Sequence, residues 1–191
     1  SLGKKGKGRD PSAILIGGYD RREAQLAVIE ASIRKRVPKV IISNIIELQK
    51  KYRCIAWGIE TVQFQEFLRT QLIDEALRQH VMLNGVPISQ STDKDLRIES
   101  LQVPISDGRI KLHPSQRTLI TQLEQWPNGD HDDGPDGLEM LWNLAVTYSS
   151  PLDMRTSGNR ASHHAFGQQH SSISVNGEYG AASGALNWRG W

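Results

Sequence analysis

At 191 residues, with 38% hydrophobic and 23% charged side chains, the chain is long enough for one domain with its own core and has the composition of an ordinary soluble protein. No apolar run approaches a membrane span, the N-terminus lacks a signal-peptide core, and the lone Cys54 excludes an internal disulfide or a cysteine zinc cluster and fits a reducing, intracellular setting. A formal charge of +2 and a pI of about 8.7 are too mild to indicate nucleic acid by themselves, so the distribution of charge has to carry that question.

Residues 1–10, SLGKKGKGRD, have a flexible composition. They are not a P-loop, because no strand precedes them and no Gly-Lys-Ser/Thr opens a helix after them. Lys4, Lys5, Lys7 and Arg9 form one basic cluster, and Arg34, Lys35, Arg36 and Lys39 form a second. Either cluster could meet phosphates or stay solvated on a tail and a turn. AILIGGY (13–19) and AQLAVIEASI (24–33) flank the polar turn DRRE, which predicts a hairpin. Pro38 opens a helix whose Ile41, Ile42, Ile45, Ile46 and Leu48 follow helical spacing. CIAWGIE (54–60) is too short for a helix and predicts a buried strand. Residues 62–80 predict a long amphipathic helix through Phe64, Phe67, Leu68, Leu72 and Leu77.

Further along, 86–90 is a short strand, Thr92 and Asp95 offer caps for a helix over DLRIESLQ, 108–113 is a small strand and 114–126 a helix. The last helix is expected over about 136–148. After Pro151 the chain is rich in Ser, Gly, Asn and His without periodicity, so residues 1–150 are expected as the domain and 151–191 as a flexible tail. A hairpin followed by helices alternating with short buried strands predicts an α/β fold with mixed strand directions.

Carboxylates stand at two places that could carry chemistry. Glu60 ends a short apolar strand directly before a helix, where ligand sites collect in open α/β sheets, although a first-turn acid also simply suits the helix dipole. Asp132, Asp133 and Asp136 crowd the start of the last helix. Asp133 as N-cap, with Pro135 and Asp136 in the first turn, accounts for part of that crowd by capping. Capping does not account for Asp132 or His131, and adjacent carboxylates repel one another unless cations screen them. A hard divalent ion such as magnesium would do so. The alternatives at this point are a cap and a metal site.

Five segments in series, SLGKKGKGRDPSAILIGGYD, WGIETVQFQEFL, DKDLRIESL, GRIKLH and HDDGPDGLEMLW, resemble the C-terminal nuclease domain of tailed-phage terminase large subunits over about residues 1–148. The resemblance implies a ribonuclease H-like mixed sheet flanked by helices. It also implies cleavage of double-stranded, concatemeric DNA with two magnesium or manganese ions, in the host cytoplasm and away from membranes. Portal and terminase small subunit are the partners it implies. By position it assigns Glu60 and Asp133, with Asp132 beside it, to catalysis and metal binding, and adds Asp136 as a supporting ligand or cap. Lys94 and Arg97 match basic positions near the cleft and are expected to contact phosphate, the plainer alternative being surface pairs with Asp93 or Asp95.

One departure matters. In the family the loop resembling SLGKKGKGRD follows a central strand whose aspartate leads the metal site, and Asp10 matches a different position. Against that pattern residues 1–191 are expected to be without that first strand, its acid and the ATPase motor, and the strand would be expected between 13–19 and 54–60. The competing reading is a catalytically incomplete prophage fragment that binds DNA or packaging partners. A third, a junction resolvase or transposase-like enzyme, fits the series of motifs less well. His163, His164 and His170 could bind a metal, and the terminal LNWRGW could dock on a portal ring.

Overall fold

The computed structural model describes residues 11–60 and 63–149. The expectations for Asp10, the N-terminal basic cluster, the tail histidines and LNWRGW lie outside them. Chain order runs β1 (Ser12–Asp20), β2 (Gln25–Arg34), α1 (Pro38–Tyr52), β3 (Trp57–Glu60), α2 (Gln63–Arg78), β4 (Gly85–Ile88), α3 (Lys94–Glu99), α4 (Gln102–Ser106), β5 (Ile110–Lys111), α5 (Arg117–Gln125) and α6 (Asp133–Ser149).

The hairpin forms as expected, β1 pairing antiparallel with β2 from Ser12↔Arg34 to Asp20↔Gln25. Its turn is closed by the Asp20 carboxylate, which accepts the Arg22 N–H at 2.8 Å and the Glu23 N–H at 3.3 Å. β5 adds to β2 in parallel, so this sheet is mixed, with order β1-β2-β5. β3 and β4 form a separate parallel pair, with Glu60 opposite Ile88. Among the described residues β1 and β3 share no ladder.

Helices α1 and α6 hold the two sheets together. From α1, Ile41 and Ile45 pack on a cluster of Ile14, Ile16, Cys54 and Trp57, which draws on β1 and β3. Ile42 and Ile46 turn to the other side, onto Leu72 and Ala76 of α2. The isoleucine run therefore serves two surfaces at once. α6 contacts β1, β2 and β3. It approaches β1 so closely that a Cβ on Gly17 would lie 3.1 Å from Leu141 Cδ2 and 2.7 Å from Leu26 Cδ1. The main core collects Leu26, Val28, Leu101, Leu119 and Leu138 beneath α6. No helix among the described residues is long and apolar enough to cross a membrane.

Several boundaries differ from expectation for local reasons. β3 keeps only the last four residues of the predicted strand, because only these have a partner in β4. In α2, Leu77 is 64% exposed, and the buried stripe runs through Leu72 and Ala76 instead. Neither Thr92 nor Asp95 caps α3. Asp93 does, accepting from Asp95 N–H at 2.9 Å and Leu96 N–H at 3.4 Å. The segment DLRIESLQ also breaks into two short helices, α3 and α4, about Leu101, which is 1% exposed. α5 starts after Gln116, whose side chain is committed elsewhere, to Val28 O at 2.7 Å and the His113 N–H at 3.1 Å.

Candidate functional site

The start of α6 is built by a close backbone contact. Gly134 has no room for a side chain: a Cβ there would meet Gln122 Oε1 at 2.5 Å, Ile33 Cδ1 at 2.7 Å and Leu119 Cδ1 at 3.0 Å. The buried Gln122 of α5 accepts the Gly134 N–H at 2.8 Å, which satisfies one of the donors a helix start leaves open. The Asp136 N–H bonds to Asp132 O at 3.0 Å, so Asp132 holds the N-cap position and Asp133 lies in the first turn. This moves the cap one residue earlier than the sequence suggests.

Helix α3 is pinned by Ile98, 3% exposed, and presents Lys94 and Arg97 to α6. Lys94 Nζ lies 2.8 Å from Asp132 Oδ1 and 3.9 Å from Asp136 Oδ2. Arg97 reaches Asp136 Oδ1 at 2.9 Å with Nη2 and Glu139 Oε2 at 2.6 Å with Nη1. The Asp136 contact is an ion pair without hydrogen-bond alignment, since that oxygen has no hydrogen-bond partner among the described residues. Asn143 donates to the other oxygen of Glu139. The surface pairs with Asp93 or Asp95 do not form; the partners lie across the fold on α6.

The two cations are held differently. The side chains of Arg97 and Glu139 are 12% and 4% exposed, whereas those of Lys94 and Asp132 are 41% and 44% exposed. The buried pair fixes α3 to α6, and the exposed pair can exchange with solvent. Burial pushes the Glu139 carboxyl above the ordinary range, outweighing the attraction of Arg97. Asp133 is also raised, first by burial and then by the neighbouring Asp132, against the pull of its own backbone N–H, Lys94 and His131. Asp133 has no ion-pair partner among the described residues. Four carboxylates, Asp132, Asp133, Asp136 and Glu139, therefore face two cations.

Glu60 ends β3 as expected and is half-buried. Because β3 and β4 run parallel, their carboxyl ends open on one side. There a cavity of about 160 Å³ runs from Ile88, beside Glu60 in the ladder, past Gln90 and Thr92 to Arg97, Glu139 and Asn143. The structure thus joins Asp132, Asp136, Lys94 and Arg97 into one network, with Asp133 alongside. Among the described residues no group of three or more His, Cys, Asp or Glu is arranged to hold a metal ion. Glu139, Asn143 and Gln122 belong to the site's frame without having been singled out by sequence. A signal for Glu139 was present in its spacing: three residues after Asp136, it shares that residue's helix face.

No protein-family model and no curated protein sequence matches the chain. Among solved structures, a human cytomegalovirus terminase nuclease domain, soaked with manganese and bound to an inhibitor, matches with a TM-score of 0.50 and 12% identity, over 80% of this chain and 82% of that one. Likeness at that identity speaks for the fold alone: a mixed α/β arrangement flanked by helices, shared with that domain. It does not single out the tailed-phage branch suggested by the sequence motifs.

Proposed function

We propose that this chain is the endonuclease domain of a DNA-packaging terminase, cutting double-stranded DNA with magnesium or manganese ions. The observation that carries the reading is the carboxylate cluster at the start of α6, set in a fold shared with a terminase nuclease domain. The donors suit a hard cation, since all are carboxylate oxygens. Their present arrangement is incomplete for one, because Lys94 and Arg97 already occupy Asp132 and Asp136. Asp132, Asp133 and Glu60 are the residues that would hold the ions, with Asp136 in support. When bound, such ions activate water and stabilise the leaving oxygen of a phosphodiester. Arg97 orients Asp136 and Glu139, and Lys94, being exposed, is the side chain able to exchange Asp132 for a phosphate. Portal and terminase small subunit would be the partners of such a domain, in a phage-infected or prophage-bearing host cell. The test is nicking of supercoiled plasmid with magnesium or manganese, compared with a chelator control.

A second reading, a chain that binds DNA without cutting it, is favoured by one observation. β1 and β3 sit in separate ladders under shared helices, and among the described residues no three His, Cys, Asp or Glu are arranged to hold a metal ion.

A further inference from the structure

At the open end of the hairpin, Ser12 and Arg34 are register partners, and the chain turns through Lys35, Arg36 and Val37 into α1. Arg36 is drawn inward and is only 8% exposed. Its Nη1 donates to Ser12 O at 2.7 Å, Ser12 Oγ at 3.0 Å and Arg34 O at 3.3 Å. Its Nη2 donates to Ser32 O at 3.2 Å and to Ser32 Oγ, and its Nε to Asn44 Oδ1 at 3.2 Å. Every one of these acceptors is neutral. Burial, and then the charge of Arg34, lower the Arg36 pKa, the signature of a cation in company it does not favour.

Around it Arg34, Lys35 and Lys39 are exposed, and Arg34 Nη2 donates to Asn44 Oδ1 at 3.3 Å. None of the four cations meets a carboxylate among the described residues. The first turn of α1 contains no acid and has no side-chain cap. Some cations elsewhere take acidic partners, Lys51 with Glu30 at 2.6 Å, Arg78 with Glu75 at 2.9 Å and Arg109 with Asp107 at 3.2 Å, while Lys50 and Arg21 donate singly to an amide and a carbonyl oxygen; the turn differs in gathering four cations in six residues. The β2–α1 turn is a concentration of positive charge that no acid among the described residues compensates.

The turn also lies at the carboxylate end of the molecule. The start of α6 rests on the open end of the hairpin: a Cβ on Gly134 would touch Ile33, and one on Gly137 would lie 3.3 Å from Ala13 Cβ. We propose that the β2–α1 turn is a docking surface for the phosphate backbone of nucleic acid, with Arg34, Lys35 and Lys39 contacting phosphates and Arg36 holding the turn's shape. The choice of a nucleic acid over other polyanions rests on the nuclease reading. A thin strand of phosphates can lie along the turn and pass beside the carboxylates, whereas a flat anionic membrane would press against both.

The experiment is a salt titration of duplex binding by the full chain, read by fluorescence anisotropy, with calcium present to prevent cutting. The triple variant Arg34→Ala, Lys35→Ala, Lys39→Ala should bind at least about tenfold more weakly at low salt. Its log–log slope should be shallower by up to about 2.7, each phosphate that is no longer neutralised accounting for about 0.9. Exchanging Arg34→Lys, Lys35→Arg and Lys39→Arg should preserve both. Absence of duplex binding by the parent chain, or an unchanged affinity and slope in the alanine variant, overturns the surface. So does a loss confined to polyglutamate or phosphatidylserine vesicles with duplex binding intact, which would assign the turn to another partner. Binding that depends on the turn, in a protein that does not nick plasmid, leaves the surface standing and removes the nuclease reading alone.

Discussion

Two charged regions share one end of this molecule, and they are built on opposite terms. At the start of α6, Asp132, Asp136 and Glu139 meet Lys94 and Arg97 of α3, so three of the four carboxylates have a cationic partner within the fold. At the β2–α1 turn, Arg36 is answered only by carbonyl, hydroxyl and amide oxygens, and its three cationic neighbours by no acid among the described residues. A network that closes on itself ties two helices together and can be opened at its exposed member. A patch left unanswered keeps its full potential for an outside anion. Charge count alone would not have separated the two.

The largest effect expected at the acidic region is on catalysis. In a form of the protein that nicks plasmid with manganese, Asp133→Ala or Glu60→Ala should lower the nicking rate on the order of 10³-fold or more while the circular dichroism spectrum stays unchanged. Nicking retained in both variants would remove the carboxylates from the chemistry and leave the region a purely structural network.

Next in size is a difference within that region. Arg97→Ala strands Glu139, whose side chain is 4% exposed, and should cost about 3–5 kcal/mol in urea denaturation, the range for breaking a buried ion pair. Lys94→Ala opens a pair that is about half exposed on each side and should cost no more than about 1 kcal/mol. Equal losses would mean that Lys94 is as structural as Arg97 and unavailable to a phosphate. At the basic turn, the triple alanine variant should change stability by no more than about 0.5 kcal/mol, because the three side chains are exposed and meet no carboxylate among the described residues. A larger loss there would mark the turn as a structural element like its acidic counterpart.

The smallest effect is a pH dependence. The Asp133 carboxyl is raised in the folded protein, chiefly by burial. Its contribution is therefore fully present below the ordinary carboxylate pKa, about 4, and is lost as pH rises through the raised value. Asp133→Asn should remove that loss and raise the melting temperature at pH 7 by about 1–3 °C. A lower melting temperature would mean that the ionised carboxylate stabilises the helix start, as a cap would.

Most of the order of elements, though not the division between α3 and α4, was legible in the sequence because it rests on local rules. Alternation with a polar turn marks the hairpin, Pro38 and spaced isoleucines mark α1, and a strand too short for a helix ends at Glu60. The acidic crowd at 132–136 was visible for the same reason, being contiguous along the chain. What contacts that crowd was not. Lys94 and Arg97 have acids beside them in sequence, yet they pair with residues some forty positions away because Ile98 and Leu101 anchor α3 against the core that α6 covers. The position of the cap was hidden likewise, since it depends on Gln122 reaching Gly134 from another helix. The second basic cluster was equally plain in the sequence, but its meaning was not, because burying Arg36 among neutral acceptors and leaving its neighbours without acids is a property of packing. Periodicity and charge runs act between near neighbours and can be read along a chain. Which charges are answered, and which are left open, depends on what the core brings together from distant segments, and only the tertiary structure decides that.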